Sequence, residues 1–262
     1  MSPIHRAEGE ISAIGRSTEI LKAFLGSSGT LSPAALVRRT GMAKTTVYRM
    51  VEDLARVGLL ERHGTDYRLG LLLFEIGESV PRQRSLREAA RRHLSALREA
   101  TGHNVGLAVL DGSDVVYLEV FRGEDGPRLP HHMGGRWPAY ASCSGKAILA
   151  FTPPAQVAQL EFAMKAHTEN TITDPELLIR ELERVRKSGV AFDRQEAFLR
   201  IAGAAAPIFG PDEEVLGAIS ISGMAGRINL TRIDAAVRTT AISISRDLSS
   251  AHSVVRPVLQ RH

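Results

Sequence analysis

Lys44, Thr45, Thr46, Tyr48 and Arg49 lie in one short stretch of the chain and carry the donors with which duplex DNA is read. An arginine can donate two hydrogen bonds to guanine, a threonine can bond a base edge or touch a thymine methyl, and a tyrosine or lysine can reach a phosphate. Arg38 and Arg39, just upstream, would add attraction that ignores sequence. Between Ile20 and Val51 stand the basic residues Lys22, Arg38, Arg39, Lys44 and Arg49 and no acid, whereas an ordinary surface mixes the two signs. Glu52, the first acid beyond, would either repel phosphates or accept from a cytosine amino group.

Other reactive types support less. Ser144-Gly145-Lys146-Ala147 has part of a phosphate loop, but Tyr140 stands where the first glycine belongs and Ala147 where Ser or Thr is needed, so Lys146 reads as structural. His131 and His132 are adjacent on an extended segment and would point to opposite faces, too few and too divergent for a metal. Cys143 is the one cysteine. No intramolecular disulfide or CxxC-type zinc site can form. It is a candidate acyl-transfer nucleophile or, more simply, a small apolar filler. Trp137 and Tyr140 read as packing rather than as a stacking platform.

The elements that must position the basic stretch follow from apolar spacing. Ile20, Leu21, Phe24 and Leu25 recur at helical intervals after Ser17, read as an N-cap. Ser32-Pro33 opens a second helix that Thr40-Gly41 stops. A third, over 43–57, buries Val47, Met50, Val51 and Leu54 and turns Thr45, Tyr48, Arg49 and Glu52 outward. Lys44 and Thr46 fall in its first turn, where a recognition helix meets base edges. Segments 59–62 and 67–69, joined by His63-Gly64-Thr65-Asp66, read as a hairpin that would form a wing, with Arg62 or Arg68 near the DNA backbone or minor groove.

Segment 71–76 is strongly apolar and reads as helix. Residues 77–81 interrupt it, which sets domain limits of 1–78 and 79–262. The next helix, 85–101, places Leu86, Ala90, Leu94, Leu97 and Thr101 on one face and most of its arginines on the other. Beyond Gly102 the pattern predicts strands over 104–110 and 115–121, a helix after Ser144-Gly145-Lys146, a helix over 175–188, strands over 203–209 and 215–222, and a last helix over 231–249. That succession predicts an antiparallel α+β domain.

The whole chain has 262 residues, 44% of them hydrophobic and 24% charged, with a net charge of +4 and a pI near 9.5. These are the proportions of a soluble globular protein with a mild preference for polyanions. No apolar run long enough for a membrane span and no secretion signal are evident, so a cytoplasmic location is expected.

The chain resembles the IclR family of bacterial transcription regulators. The resemblance rests on Ile14-Gly15-Arg16-Ser17, Gly41-Met42-Ala43-Lys44-Thr45-Thr46-Val47-Tyr48-Arg49-Met50, Gly58-Leu59-Leu60-Glu61-Arg62 and Tyr67-Arg68-Leu69-Gly70. It continues through Gly134-Gly135-Arg136-Trp137-Pro138, Ser144-Gly145-Lys146-Ala147-Ile148-Leu149-Ala150, Gly189-Val190-Ala191-Phe192-Asp193, Glu196, Ala205-Ala206-Pro207-Ile208 and Ala218-Ile219-Ser220-Ile221-Ser222-Gly223. No single stretch is specific, but the ordered set is. It implies a winged helix-turn-helix, a linker helix that pairs two chains and a GAF-like α/β effector-binding domain. It also implies a homodimer or dimer of dimers on a partly palindromic operator, and repression or activation of catabolism of small organic or aromatic acids. Arg16 falls where the family usually has arginine, as a DNA contact or as a cap on the domain.

The same resemblance maps effector contacts onto Leu129, Cys143, Ser144, Asp193, Ile201, Gly203, Ser220 and Ser222. The residues are compatible with this. Ser220 and Ser222, two apart on a strand, face one side. A helix-start turn at Ser142-Cys143-Ser144-Gly145 would offer N–H groups to a carboxylate, with no lysine or arginine needed in the pocket. The Cys143-Ser144 pair is bulkier and more polar than the family's usual residues. Gly203 and Arg200 replace a frequent cysteine and a frequent glycine, which would reshape the cavity. The expected function is a ligand-responsive DNA-binding regulator with no cofactor and no metal. The rivals are an enzyme using Cys143 beside an accessory nucleic-acid domain and a DNA-binding architectural protein without a ligand.

Overall fold

The computed structural model describes residues 12–27, 29–124, 126–129 and 132–255, so His131 lies outside the described residues. The chain divides after Pro81 into two compact units. Among the described residues no helix is long and apolar enough to cross a membrane.

The first unit comprises α1 (Ala13–Lys22), β1 (Thr30–Leu31), α2 (Pro33–Thr40), α3 (Lys44–Arg56), β2 (Leu60–His63), β3 (Asp66–Leu69) and α4 (Leu71–Glu78). Helix α1 begins earlier than Ser17 suggested, because the Ser12 hydroxyl accepts from the Gly15 N–H at 3.1 Å and leaves Ser17 inside the helix. Helix α2 starts as expected: the Ser32 side chain accepts from the Ala35 N–H, and Pro33 takes the first turn, where its missing donor is harmless. Gly41 ends it with φ of 68°, a left-handed conformation that favours glycine. Val47, Met50, Val51 and Leu54 of α3 bury against Ile20, Phe24, Leu36, Leu60 and Tyr67. The wing hairpin pairs Arg62 with Tyr67 and His63 with Asp66. Its third strand, β1, pairs Leu31 with Tyr67 and was not foreseen, since two residues carry no readable alternation.

The second unit comprises α5 (Pro81–Thr101), β4 (Asn104–Asp111), β5 (Asp114–Phe121), β6 (Arg136–Pro138), α6 (Cys143–Leu149), α7 (Pro154–Val157), α8 (Pro175–Ser188), β7 (Ala191–Arg194), β8 (Ile201–Phe209), β9 (Val215–Met224) and α9 (Leu230–Val255). Its strands form one antiparallel sheet in the order β6-β5-β4-β9-β8-β7. The edge strands β6 and β7 were missed, being three and four residues long. One face carries Leu107, Ala204, Ala206, Ile208, Ile219 and Ile221, which pack with Leu86, Ala90, Leu94 and Leu97 of α5 and with Ile233, Val237, Ala241 and Ile244 of α9. The other face carries Ala108, Val115, Tyr117, Ala205 and Ala218 and packs with α6 and with Leu178, Leu182 and Val185 of α8.

Helix α6 is buried along its whole length. Gly145 is there because a Cβ would meet the Ala139 carbonyl oxygen at 2.1 Å, not because a phosphate must approach. Lys146 has no solvent exposure; its Nζ donates to both Glu196 carboxylate oxygens at 2.7 and 2.6 Å and lies 3.7 Å from Glu181. Removing one partner of a buried pair leaves an uncompensated charge, at a cost of about 3–5 kcal/mol. Lys146→Met should therefore destabilise the second unit by about that amount in urea unfolding, and Lys146→Met with Glu196→Gln by clearly less. Equal losses for the single and double variants would remove the ion pair as the cause.

Candidate functional site

On α3, Lys44, Thr45, Tyr48 and Arg49 are exposed and Thr46 is half-buried. Tyr48 keeps 41% of its surface in solvent, high for an aromatic residue, and the Lys44 ammonium sits 5.5 Å from its ring centre. Arg38, Lys44 and Arg49 have no carboxylate partner among the described residues, so their charge is available to a polyanion. Two other candidates are tethered. Arg39 Nη1 donates to the Ala23 carbonyl at 2.6 Å and holds α2 against the end of α1. Arg62, on the wing, donates to Glu52 and, at 3.1 Å, to the Tyr67 hydroxyl. Arg68 likewise pairs with Glu61 at 2.7 Å. Arg16 is half-buried, with its Nε shielded from solvent.

Glu52 is not a free acid. The Tyr67 hydroxyl donates to it and, with Arg62 beside it, holds its carboxyl below the ordinary glutamate range. Both contacts fall on Glu52 Oε1, and Arg62 balances its charge within the domain. Paired with Arg62, it repels phosphate less than a free acid would.

In the second unit, Leu129, Cys143, Asp193, Ile201, Ser220 and Ser222 border one cavity of about 40 Å³. Ser220 and Ser222 share a face of β9, as their spacing required. Ser144 and Gly203 do not border it. Ser144 is fully buried in the first turn of α6. Gly203 is paired between Asp193 and Ser222 in the sheet, where a Cβ would meet the Ile221 carbonyl oxygen at 2.6 Å. The helix-start turn is also less open than expected, since the Ser142 hydroxyl takes the Gly145 N–H at 3.0 Å and the Ser142 carbonyl takes the Lys146 N–H.

Wall residues that sequence reasoning missed include Asn104, Tyr117, Val120, Arg122 and Phe198. Strict alternation puts Tyr117 and Val120 on opposite faces of β5. A bulge brings them together: Leu107 pairs with Glu119 while Ala108 pairs with Tyr117, so Leu118 has no partner and the faces exchange beyond it. No residue type along β5 announces this. Trp137 packs instead behind the wall, its ring centre 4.5 Å from that of Phe198 and 5.0 Å from that of His167. The Tyr140 hydroxyl is held by the Lys165 backbone.

Two wall groups are shifted by their surroundings. Burial, reinforced by the neighbouring Glu196 carboxylate, pushes the Asp193 carboxyl up to about 6, although the Glu196 N–H donates to its Oδ1 at 2.7 Å. Burial and then Asp193 push the Cys143 thiol far up, so it carries no thiolate with which to attack. No group of three His, Cys, Asp or Glu that would hold a metal occurs among the described residues.

The two units have recognisable counterparts. Residues 13–64 match the IclR helix-turn-helix domain, and residues 79–246 match the bacterial transcriptional regulator IclR C-terminal family. The HTH-type transcriptional regulator KipR of Bacillus subtilis (strain 168) is 32% identical over 241 residues, covering 89% of this chain and 95% of that protein. The crystal structure of Thermotoga maritima IclR aligns with a TM-score of 0.73 at 30% identity, covering 90% of this chain and 98% of that one. An IclR homologue from Microbacterium hydrocarbonoxydans, solved in complex with 4-hydroxybenzoate, aligns with a TM-score of 0.84 at 25% identity, covering 91% and 100%. These relatives are transcription regulators rather than enzymes. With a helix-turn-helix unit that binds DNA and a second unit built around a ligand cavity, this chain belongs to the IclR family of bacterial transcriptional regulators.

Proposed function

We propose that the protein represses or activates a catabolic operon in the cytoplasm, binding a partly palindromic operator as a homodimer or dimer of dimers and responding to a small organic acid. The observation that carries this reading is a recognition helix with an outward basic face and no exposed acid in its first two turns, in the same chain as a small, partly polar cavity. Arg49, Lys44, Thr45, Thr46 and Tyr48 would read the major groove, with Arg38 on the backbone. Arg39, Arg62 and Arg16 would act mainly by holding the reading head in shape.

Pairing of two chains is assigned to α4. Leu71, Phe74 and Ile76 expose 62%, 63% and 54% of their surfaces, and the helix buries no residue within the chain. An apolar helix left this bare loses the hydrophobic gain of folding unless a second copy covers it. Two heads would then meet half-sites about 34–36 Å apart, or at multiples of that spacing.

The cavity, of about 40 Å³, holds a few water-sized groups. That favours an acid of a few heavy atoms. An aromatic acid, the ligand class of the Microbacterium relative, would have to spread the walls. The ligand can shift the heads only as far as it prefers one of their arrangements.

Asp193 gives the sensor a pH signature. Its folded carboxyl titrates near 6, above the ~3.9 of an unfolded chain. The folded state therefore binds more protons between those values, and stability should fall as pH rises from about 4 through about 6. Asp193→Asn should flatten that slope in thermal unfolding and be the more stable form at pH 8; an unchanged slope would show that Asp193 is not its source. Arg49→Ala should lose roughly 10- to 100-fold on the operator at fixed salt and little on random duplex, measured by fluorescence anisotropy. An equal loss on both would make Arg49 a phosphate contact. Phe74→Glu should shift sedimentation towards the single chain and weaken operator binding, and unchanged assembly would release α4 from the pairing role.

A further inference from the structure

The sign of the charge in the cavity wall is set by the extra residue in β5. Before the bulge, Val115 and Tyr117 face α6; beyond it Val120 does, and Glu119 turns to the opposite face. There Glu119 is buried and meets Arg87 at 3.2 Å and Arg91 at 3.8 Å, both from α5. Without the unpaired Leu118, alternation from Tyr117 would carry Glu119 into the cavity and take Arg122 out of it. The bulge thus puts Arg122 rather than Glu119 on the cavity side.

Arg122 is the only cation among the described wall residues, and it has no carboxylate partner among the described residues. Asn104, Ser142 and Asp193, also on the wall, are occupied or of the wrong sign. Asn104 accepts from the Gly123 N–H at 3.0 Å and donates to the Pro127 carbonyl at 2.8 Å. The Ser142 hydroxyl caps α6, and Asp193 is an acid. The contacts of Asn104 also pin the backbone immediately after Arg122, fixing the root of its side chain. A planar fork with a fixed root and no internal partner suits a carboxylate, which it can take through two parallel hydrogen bonds.

We propose that Arg122 is the specificity-determining residue of the cavity, pairing with the carboxylate of a monoanionic effector. This rests on the acid-sensing reading above. Asp193, on the same wall, disfavours a second carboxylate, so the class is monocarboxylates rather than dicarboxylates.

The test compares the full-length protein with Arg122→Gln and Arg122→Lys, by thermal shift and calorimetry at pH 7.5. The probes are pyruvate, lactate and 4-hydroxybenzoate, each beside its neutral amide, with succinate and inorganic phosphate. At least one monocarboxylate is expected to stabilise the parent protein and to bind roughly tenfold or more tightly than its amide. Arg122→Gln should bring the acid down to the level of the amide and leave the amide unchanged, with Arg122→Lys between. Arg122 is exposed, so the melting temperature without ligand should hold in both variants. Equal acid binding by Arg122→Gln and the parent would overturn the assignment while sparing the acid sensor. So would parallel loss of acid and amide, or succinate or phosphate binding as well as the monocarboxylates. Stabilisation by none of the acids would overturn the acid sensor, and this inference with it.

Discussion

A lysine without solvent access holds the second unit's cavity together. Lys146 projects from α6, which supplies Cys143 to the wall, and grips Glu196, which follows β7. The backbone N–H of Glu196 in turn fixes Asp193, and Ala197 and Phe198 continue the same wall. One ion pair therefore joins the helix, the edge strand and the loop beyond it. A charge so far from water is tolerable only while its partners stay in place, so helix and loop cannot drift apart independently. The precision with which the cavity presents its groups depends on this pairing.

The reading head is organised by the same economy of charge. Its recognition helix offers cations outward, and Glu52 on that face is paired with Tyr67 and Arg62 of the wing. The contact also joins the wing to the helix, so two elements that are both expected to lie near DNA are set in register before any duplex arrives. Arginines that look equivalent in the sequence thus divide into those that face solvent without a carboxylate partner among the described residues, such as Arg38 and Arg49, and those that hold the fold, such as Arg39 and Arg62.

Much of this was legible in the amino-acid sequence. The spacing of Val47, Met50, Val51 and Leu54 defined α3 and its outward face, and Ser32-Pro33 and Gly41 bounded α2, because these signals are local. The ordered motifs located the cavity through Leu129, Cys143, Asp193, Ile201, Ser220 and Ser222. What stayed hidden depended on partners distant in the chain. Ser17 was a plausible cap until Ser12 was seen to take the Gly15 N–H. Ser144 and Gly203 sat in the right motifs but were claimed by packing between α6 and its neighbours and between strands. Val120 and Arg122 were invisible because one unpaired residue in a strand reverses every side chain beyond it, and no propensity marks where that happens.

The close approach of β8 to β9 at Gly203 has a consequence for how such a cavity can change. The cavity lies against a sheet whose strands leave no room for a Cβ there, and Ala204, Ala205 and Ala206, away from the wall, continue that run of small residues with helices covering both faces. Enlarging or reshaping the site from below would mean rebuilding the sheet. Mutational drift toward a bulkier metabolite, or a designer's attempt at a biosensor with a new analyte, has its freedom at the rim instead, in Leu129, Phe198 and Ile201, where the polypeptide is loop or strand end.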